Sequence, residues 1–136
     1  MQKIISVSTP QHNILVDITS KVESIVKNAG VTSGLVNVYV QGATAGIMIQ
    51  ENWDDSVQND VVSLMTKLIP AGIWEHDAQD NNGDSHLKAG LVGPSETIPI
   101  VNGKMGLSTW QNIFLCEFDG PRSSRNIVIT LIDSEK

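Results

Sequence analysis

Apolar residues recur along this chain in two rhythms, at alternate positions in several short runs and at every third or fourth position in two longer ones. The pattern reads as strands interleaved with a few helices. Residues 3–8 and 14–16 are β-branched stretches separated by Pro10, Gln11, His12 and Asn13, which predicts an opening hairpin. In DITSKVESIVKNAG, residues Ile18, Val22, Ile25, Val26 and Ala29 return at helical spacing, with Thr19 available as a cap and Gly30 as a stop. Residues 34–41 and 45–51 then alternate, Val36, Val38 and Val40 on one face of the first run and Ala45, Ile47, Ile49 and Glu51 on one face of the second. They are expected to pair through Gly42, Ala43 and Thr44. Asp54 and Asp55 precede a second helix whose stripe is Val57, Val61, Leu64, Met65 and Leu68, ended by Pro70 and Gly72.

Residues 76–85, HDAQDNNGDS, follow neither period and are rich in Asn, Asp and Gly, so they are expected to form a loop. A short third helix over 85–91 follows, then strands over 97–101, 104–109, 112–118 and 126–132. Strands outnumber helices and no βαβ pattern repeats, which predicts an α+β fold with a mostly antiparallel sheet, two main helices and a short third.

Length and charge narrow this picture. At 136 residues and 14.7 kDa the chain is the size of one domain, expected to span 1–136. A formal charge of −6 and a pI near 4.8 oppose binding to phosphate backbones, so nucleic acid is not an expected partner. The start, MQKIISVSTPQHN, lacks a basic segment followed by an apolar one, so neither export nor a membrane partner is expected and the mature chain is expected to begin near Met1. A single cysteine, Cys116, forms no internal disulfide and fits the reducing cytoplasm, the expected location.

Several residues could carry chemistry. His76 and His86 bracket the polar loop with Asp77, Asp80 and Asp84 between them, and imidazoles with carboxylates suit zinc. They read equally as surface histidines or as histidines bonded to backbone. Glu51 ends an otherwise apolar strand face and stands either at a pocket rim as a general base or in water, paired with Lys88 or Lys104. In TWQNIFLCEFD, Gln111, Ile113, Leu115 and Glu117 share one face, and Trp110, Phe114, Cys116 and Phe118 the other. Cys116, in aromatic company, reads as a buried and inert thiol. Gln111 and Glu117 suit either a ligand pocket or cross-strand pairing at a subunit interface. Arg122, Arg125 and Lys88 are the cations available to a phosphate; arginines after a Gly-Pro turn are also commonly solvated or paired locally. His12 reads as a surface turn residue.

The strings ATAGIMIQENWDDSVQNDV, EHDAQDNNGDSHLKAGLVG and TIPIVNGKMGLSTWQNIFLCEFDGPR resemble, in this order, the signature blocks of the YjbQ-like family, also called secondary thiamine-phosphate synthases. The resemblance implies a small homotrimeric α+β protein with a divalent metal, zinc or magnesium, near the histidines. It also implies a weak activity joining a pyrimidine pyrophosphate to a thiazole phosphate. Carried onto this chain, it makes Glu51, His76 and His86 catalytic, His76 and His86 metal ligands, and Lys88, Thr109, Trp110, Gln111 and Arg122 binders of a small, phosphorylated substrate. The family often has His-Thr-Thr or His-Thr-Ser where this chain has Gly42, Ala43 and Thr44, so one imidazole is lost here. Alternatives of other classes are a metal- or ligand-binding homotrimer without that catalysis and a metal-assisted hydrolase with Glu51 as base.

Overall fold

A computed structural model describes residues 1–135. The chain order is β1 (Gln2–Thr9), β2 (Ile14–Asp17), α1 (Thr19–Ala29), β3 (Ser33–Val40), β4 (Ala45–Gln50) and α2 (Ser56–Leu68), followed by α3 (Asp77–Asp80), α4 (Gly83–Val92), β5 (Ser95–Val101), β6 (Lys104–Met105), β7 (Asn112–Glu117) and β8 (Arg122–Asp133). The strands form two sheets, a five-stranded one in the order β1-β8-β3-β5-β6 and a three-stranded one in the order β2-β7-β4. Every pairing among the described residues is antiparallel, as expected for this α+β class.

The period of two in β7 explains the layering. Ile113 and Leu115 point into a core shared with Val36, Val38 and Val40 of β3, Ile127, Ile129 and Leu131 of β8, and Val22, Ile25 and Val26 of α1. Phe114, Cys116 and Phe118 point the other way, into a second core with Val61 and Met65 of α2 and Ala89 of α4. The three-stranded sheet is therefore covered on both faces, and β7 runs through the middle as an unbroken buried strand. Removal of a side chain such as Phe114 from water contributes about 1.5–3 kcal/mol, so this central strand anchors both cores.

Some local expectations change. The opening hairpin does not form: β1 pairs with β8 and β2 with β7. Likewise β3 and β4 lie in different sheets, and Gly42–Thr44 carries the chain between layers. Alternation records which face is buried and says nothing of the partner strand. The expected strand over 104–109 ends at Met105, because Gly106 N–H turns back to the Pro99 carbonyl and Ser108 and Gln111 close a turn. Helix α1 is tied at its start by Asp17, whose Oδ1 accepts from both the backbone N–H and the hydroxyl of Thr19, while Thr19 Oγ1 accepts from Ile113 N–H. Gly30 ends it as expected, at a φ of 70° where a side chain would be strained.

The stretch expected to be a loop holds the one-turn α3 and the first turn of α4. Asp77 builds this corner. Its Oδ2 accepts from Trp74 N–H at 3.1 Å and its Oδ1 from Gly83 N–H at 2.8 Å, so one carboxylate fastens the starts of both helices. Gly83 is required there, since a Cβ would stand 2.7 Å from the Cβ of Trp74. Helix α4 then buries Asp84, Ser85, Lys88 and Ala89 on one side. Among the described residues no helix is long and apolar enough to cross a membrane.

Candidate functional site

A polar network is built into the Glu117 end of the three-stranded sheet. Glu117 is fully buried and Arg125 is 6% exposed. Arg125 Nε donates to Glu117 Oε1 at 2.9 Å and Nη2 to Oε2 at 2.5 Å, a two-pronged pair. Thr9 Oγ1 donates to Oε1, Asp119 N–H to Oε2, and Arg125 Nη2 also reaches Thr44 Oγ1. Burial by itself raises the Glu117 carboxyl. The hydrogen bonds from Arg125, Asp119 and Thr9 and the guanidinium charge outweigh that and hold it below the ordinary glutamate value. Nη1 of Arg125 points to Gly42, where a Cβ would lie 2.7 Å from it. The position at which the resemblance places a histidine is thus closed to a side chain here by the Arg125 guanidinium.

The network continues outward through Asp119. Arg122 donates from Nε to the Asp119 carbonyl and from Nη2 to its carboxylate, and Asn82 Nδ2 reaches the same oxygen, Oδ2, at 2.9 Å. These bonds use two of the five N–H donors of Arg122 and leave three, on a side chain that is 44% exposed. Asn82 immediately precedes α4, and Ser85 Oγ donates to the Phe118 carbonyl at 2.6 Å, which docks the first turn of that helix on the end of β7. His86 follows directly. Its ring meets His76 edge to face, with centroids 4.6 Å apart and planes at 80°. His76 Nε2 also lies 3.7 Å from Asp80 Oδ2. The Asp77 clamp on α3 and α4 is what brings two residues ten positions apart into ring contact.

Among the described residues no group of three or more His, Cys, Asp or Glu side chains converges in a metal-binding arrangement. The histidine pair offers two imidazole donors, fewer than the four-coordinate set that structural zinc takes.

The other residues singled out from the sequence lie elsewhere. Glu51 follows β4, whose Gln50 pairs with Asn112, whereas Ala45 at the far end of β4 pairs with Glu117. Thr109, Trp110 and Gln111 immediately precede Asn112, so they stand with Glu51 at the end of the sheet opposite the network. Five residue steps of strand separate Asn112 from Glu117, about 17 Å at ~3.4 Å per residue. Trp110 packs edge to face on Trp53, with centroids 5.2 Å apart, and Gln111 Oε1 accepts from Ser108 N–H. Lys88, expected to meet substrate phosphate, instead turns inward. It is 2% exposed and its ammonium lies 2.9 Å from Asp84 Oδ2, because the i,i+4 spacing places both on the buried side of α4. Neither Lys88 nor Lys104 forms an ion pair with Glu51. Burial pushes the Cys116 thiol up to about 12, the inert state expected for it.

Sequence reading passed over the Glu117–Arg125 pair as a unit, and with it the hub role of Asp119. The available signal was a glutamate alternating with Ile113 and Leu115, an ionisable group at positions otherwise reserved for the core. Such a group demands a buried cation.

A profile of the UPF0047 YjbQ-like proteins matches residues 3–134. A UPF0047 protein of Methanothermobacter thermautotrophicus is 43% identical over 112 residues, 82% of this chain and 78% of that protein. Another, of Archaeoglobus fulgidus, is 40% identical over 128 residues, 93% of this chain and 98% of that protein. The structure matches the crystal structure of a YbjQ-like protein of Sulfolobus solfataricus P2, described as of unknown function, with a TM-score of 0.95 at 36% identity, covering 98% of this chain and 97% of that one.

Proposed function

The chain belongs to the UPF0047 YjbQ-like family, and from that premise we propose that it is a small-molecule enzyme acting on a phosphorylated substrate beside the His76–His86 pair. The observation that carries this reading is the contact of the two imidazoles, 4.6 Å between centroids, one helical turn from Asn82 and its link through Asp119 to Arg122. Two imidazoles are thus tied, through Asn82 and Asp119, to an arginine with three free donors. That combination suits a phosphorylated ligand.

In the transferase reaction that the resemblance implies, the thiazole nitrogen attacks the exocyclic methylene carbon of the pyrimidine pyrophosphate. A C–N bond forms, the C–O bond breaks, and pyrophosphate departs with the electron pair. Arg122 is the residue positioned to take up the charge of the departing group, with Asp119 fixing the plane of its guanidinium. His76 and His86 orient the substrates and donate to phosphate oxygens. A divalent metal, zinc or magnesium, would find two donors in these histidines and would supply further neutralisation of the phosphates; its remaining ligands would come from substrate or from another copy of the chain.

Glu51, Thr109, Trp110 and Gln111 enter this reading from a neighbouring subunit, since about 17 Å of strand separates their end of β7 from the Glu117 end, on which the start of α4 docks. A homotrimer has a surface to form on. The outer face of the five-stranded sheet carries exposed Ile4, Leu35, Tyr39, Val101 and Ile132. Ile4 and Tyr39 both register with Val128, and Leu35 with Ile132, so the apolar residues of the adjacent strands β1, β8 and β3 adjoin one another.

The test is incubation of the purified protein with both phosphorylated substrates and Mg²⁺, following the joined product by chromatography. His86→Ala and Arg122→Ala are each expected to lower turnover at least about tenfold, the loss of one charge-assisted bond of ~1.5–3 kcal/mol. Equal turnover in both variants and the parent would discard this site.

A further inference from the structure

Trp53 is the most exposed large apolar side chain among the described residues, at 72%, and Trp110 is 52% exposed. They stand edge to face at 75°, so the two indoles form a corner whose ring surface stays open to a ligand. Both are presented on turns that hydrogen bonds already fix. Around Trp110, Ser108 N–H donates to Gln111 Oε1 and Gln111 N–H returns to the Ser108 carbonyl at 3.1 Å. On one side of Trp53, Asn52 Nδ2 donates to Asp17 and Asn52 Oδ1 accepts from Gln58; on the other, Asp54 Oδ1 accepts from the N–H and the hydroxyl of Ser56. A ring stacked in this corner therefore binds without the cost of ordering the backbone.

The charge around the corner has one sign. Residues 28–66 and 105–121, which carry the two indoles, contain no Lys, Arg or His, while Glu51, Asp54 and Asp55 flank Trp53 in sequence and Asp17 reaches its turn through Asn52. Among the described residues none of these four carboxylates is in an ion pair. The hydroxyl and amide of Ser56 hold the Asp54 carboxyl below the ordinary aspartate value, so it stays ionised at neutral pH. The indole faces are themselves the negative side of the ring quadrupole and add to this field. An anion is repelled here and a neutral ring gains stacking alone, whereas a flat cation gains both stacking and charge.

We propose that the Trp53–Trp110 corner binds a planar, positively charged heteroaromatic ring, stacked on indole within the field of the carboxylates of the 51–55 turn. The inference deepens the transferase reading and rests on it in one respect: the thiazole nitrogen becomes quaternary as the C–N bond forms, so the ring gains the charge that this corner favours. Trp110 is a substrate-binding candidate from the sequence, and Trp53 joins it as a residue that selects the cationic ring over the neutral one.

The probe is 3-methylthiazolium, compared with 4-methylthiazole, of nearly the same shape but neutral, and with benzoate, flat but anionic. Binding is followed by tryptophan fluorescence and by the indole and amide N–H signals of the ¹⁵N-labelled full chain. Trp74, whose ring N–H donates to the Pro70 carbonyl at 2.6 Å, is the internal control. The thiazolium is expected to bind at least about fivefold more tightly than the thiazole, with shifts at the Trp53 and Trp110 indoles and over residues 51–55 and 108–111, and none at Trp74. Benzoate is expected not to bind. Trp53→Leu, at an exposed position, should weaken the thiazolium about fivefold with the circular dichroism spectrum retained, and Trp53→Phe should recover part of that loss. Equal binding of thiazolium and thiazole, no binding of the thiazolium, shifts centred away from the two indoles, or affinity unaltered by Trp53→Leu would each overturn the proposal. No turnover enters these measurements, so a failure here and a failure of the transferase reading, which shows in the turnover of His86→Ala and Arg122→Ala, are told apart.

Discussion

Glu117 and Arg125 are the residues whose surroundings most tightly decide their state. A carboxylate at 0% exposure survives because Arg125, Thr9 and the Asp119 amide together replace its water. Removing one partner leaves a buried charge, so Arg125→Met is expected to cost about 3–5 kcal/mol, read as a fall in the urea midpoint. The double change Glu117→Leu with Arg125→Met should cost less than the single one, because no charge is then stranded. The same pair sets an acid limit. Folding depresses the Glu117 carboxyl, so its contribution is complete above the ordinary glutamate value of about 4.3 and is lost as pH falls below it through the folded value. Thermal melts should therefore show a steeper acid loss for the parent than for the double variant. Of this pair only half was legible in the sequence. Alternation placed Glu117 with Ile113 and Leu115, whereas its partner follows eight residues later on another sheet, beyond the reach of a local pattern.

At the scale of elements, the corner of α3 and α4 depends on Asp77. Among the three acids between the histidines it is the one that fastens Trp74 and Gly83, and the ring contact of His76 with His86 follows from that fastening. Asp77→Ala removes two bonds to a charged acceptor and is expected to cost about 1.5–3 kcal/mol of stability. Proton spectra of the two histidine rings should lose their mutual nuclear Overhauser contacts, while a substitution of the exposed Asp80 to Ala should leave them. The histidines were visible in sequence as candidates, and so were the acids between them. What composition could not convey was that the acid adjoining His76 serves backbone amides, or that the polar run would fold into helical turns. Asn, Asp and Gly are common in loops and equally at helix starts, where their side chains meet free N–H groups.

For the molecule as a whole, the outer face of the five-stranded sheet is the feature without a covering layer. Leu35→Lys together with Tyr39→Lys places charge across its centre, and a trimer using this face should sediment as a monomer in that variant, with the circular dichroism spectrum retained. A mass unchanged from the parent would mean that assembly, if present, uses another surface. What the sequence determined alone was local and periodic: most strands and helices near their observed positions, the α+β class, the apolar faces of α1, β3 and β7, the buried cysteine, and the blocks that carry the family, whereas in the stripe expected for α2 Val61 and Met65 are buried and Leu64 and Leu68 are exposed. Tertiary structure alone decided which strands pair, that β1 and β2 enter different sheets, that Lys88 turns inward to Asp84, and that Glu51 and Thr109–Gln111 stand at the opposite end of a sheet from the histidines. The reason lies in distance along the chain. Periodicity reports how a residue sits on its own element, while partners such as Thr9 and Glu117, or Thr44 and Arg125, are 108 and 81 positions apart and meet only when the two sheets have packed.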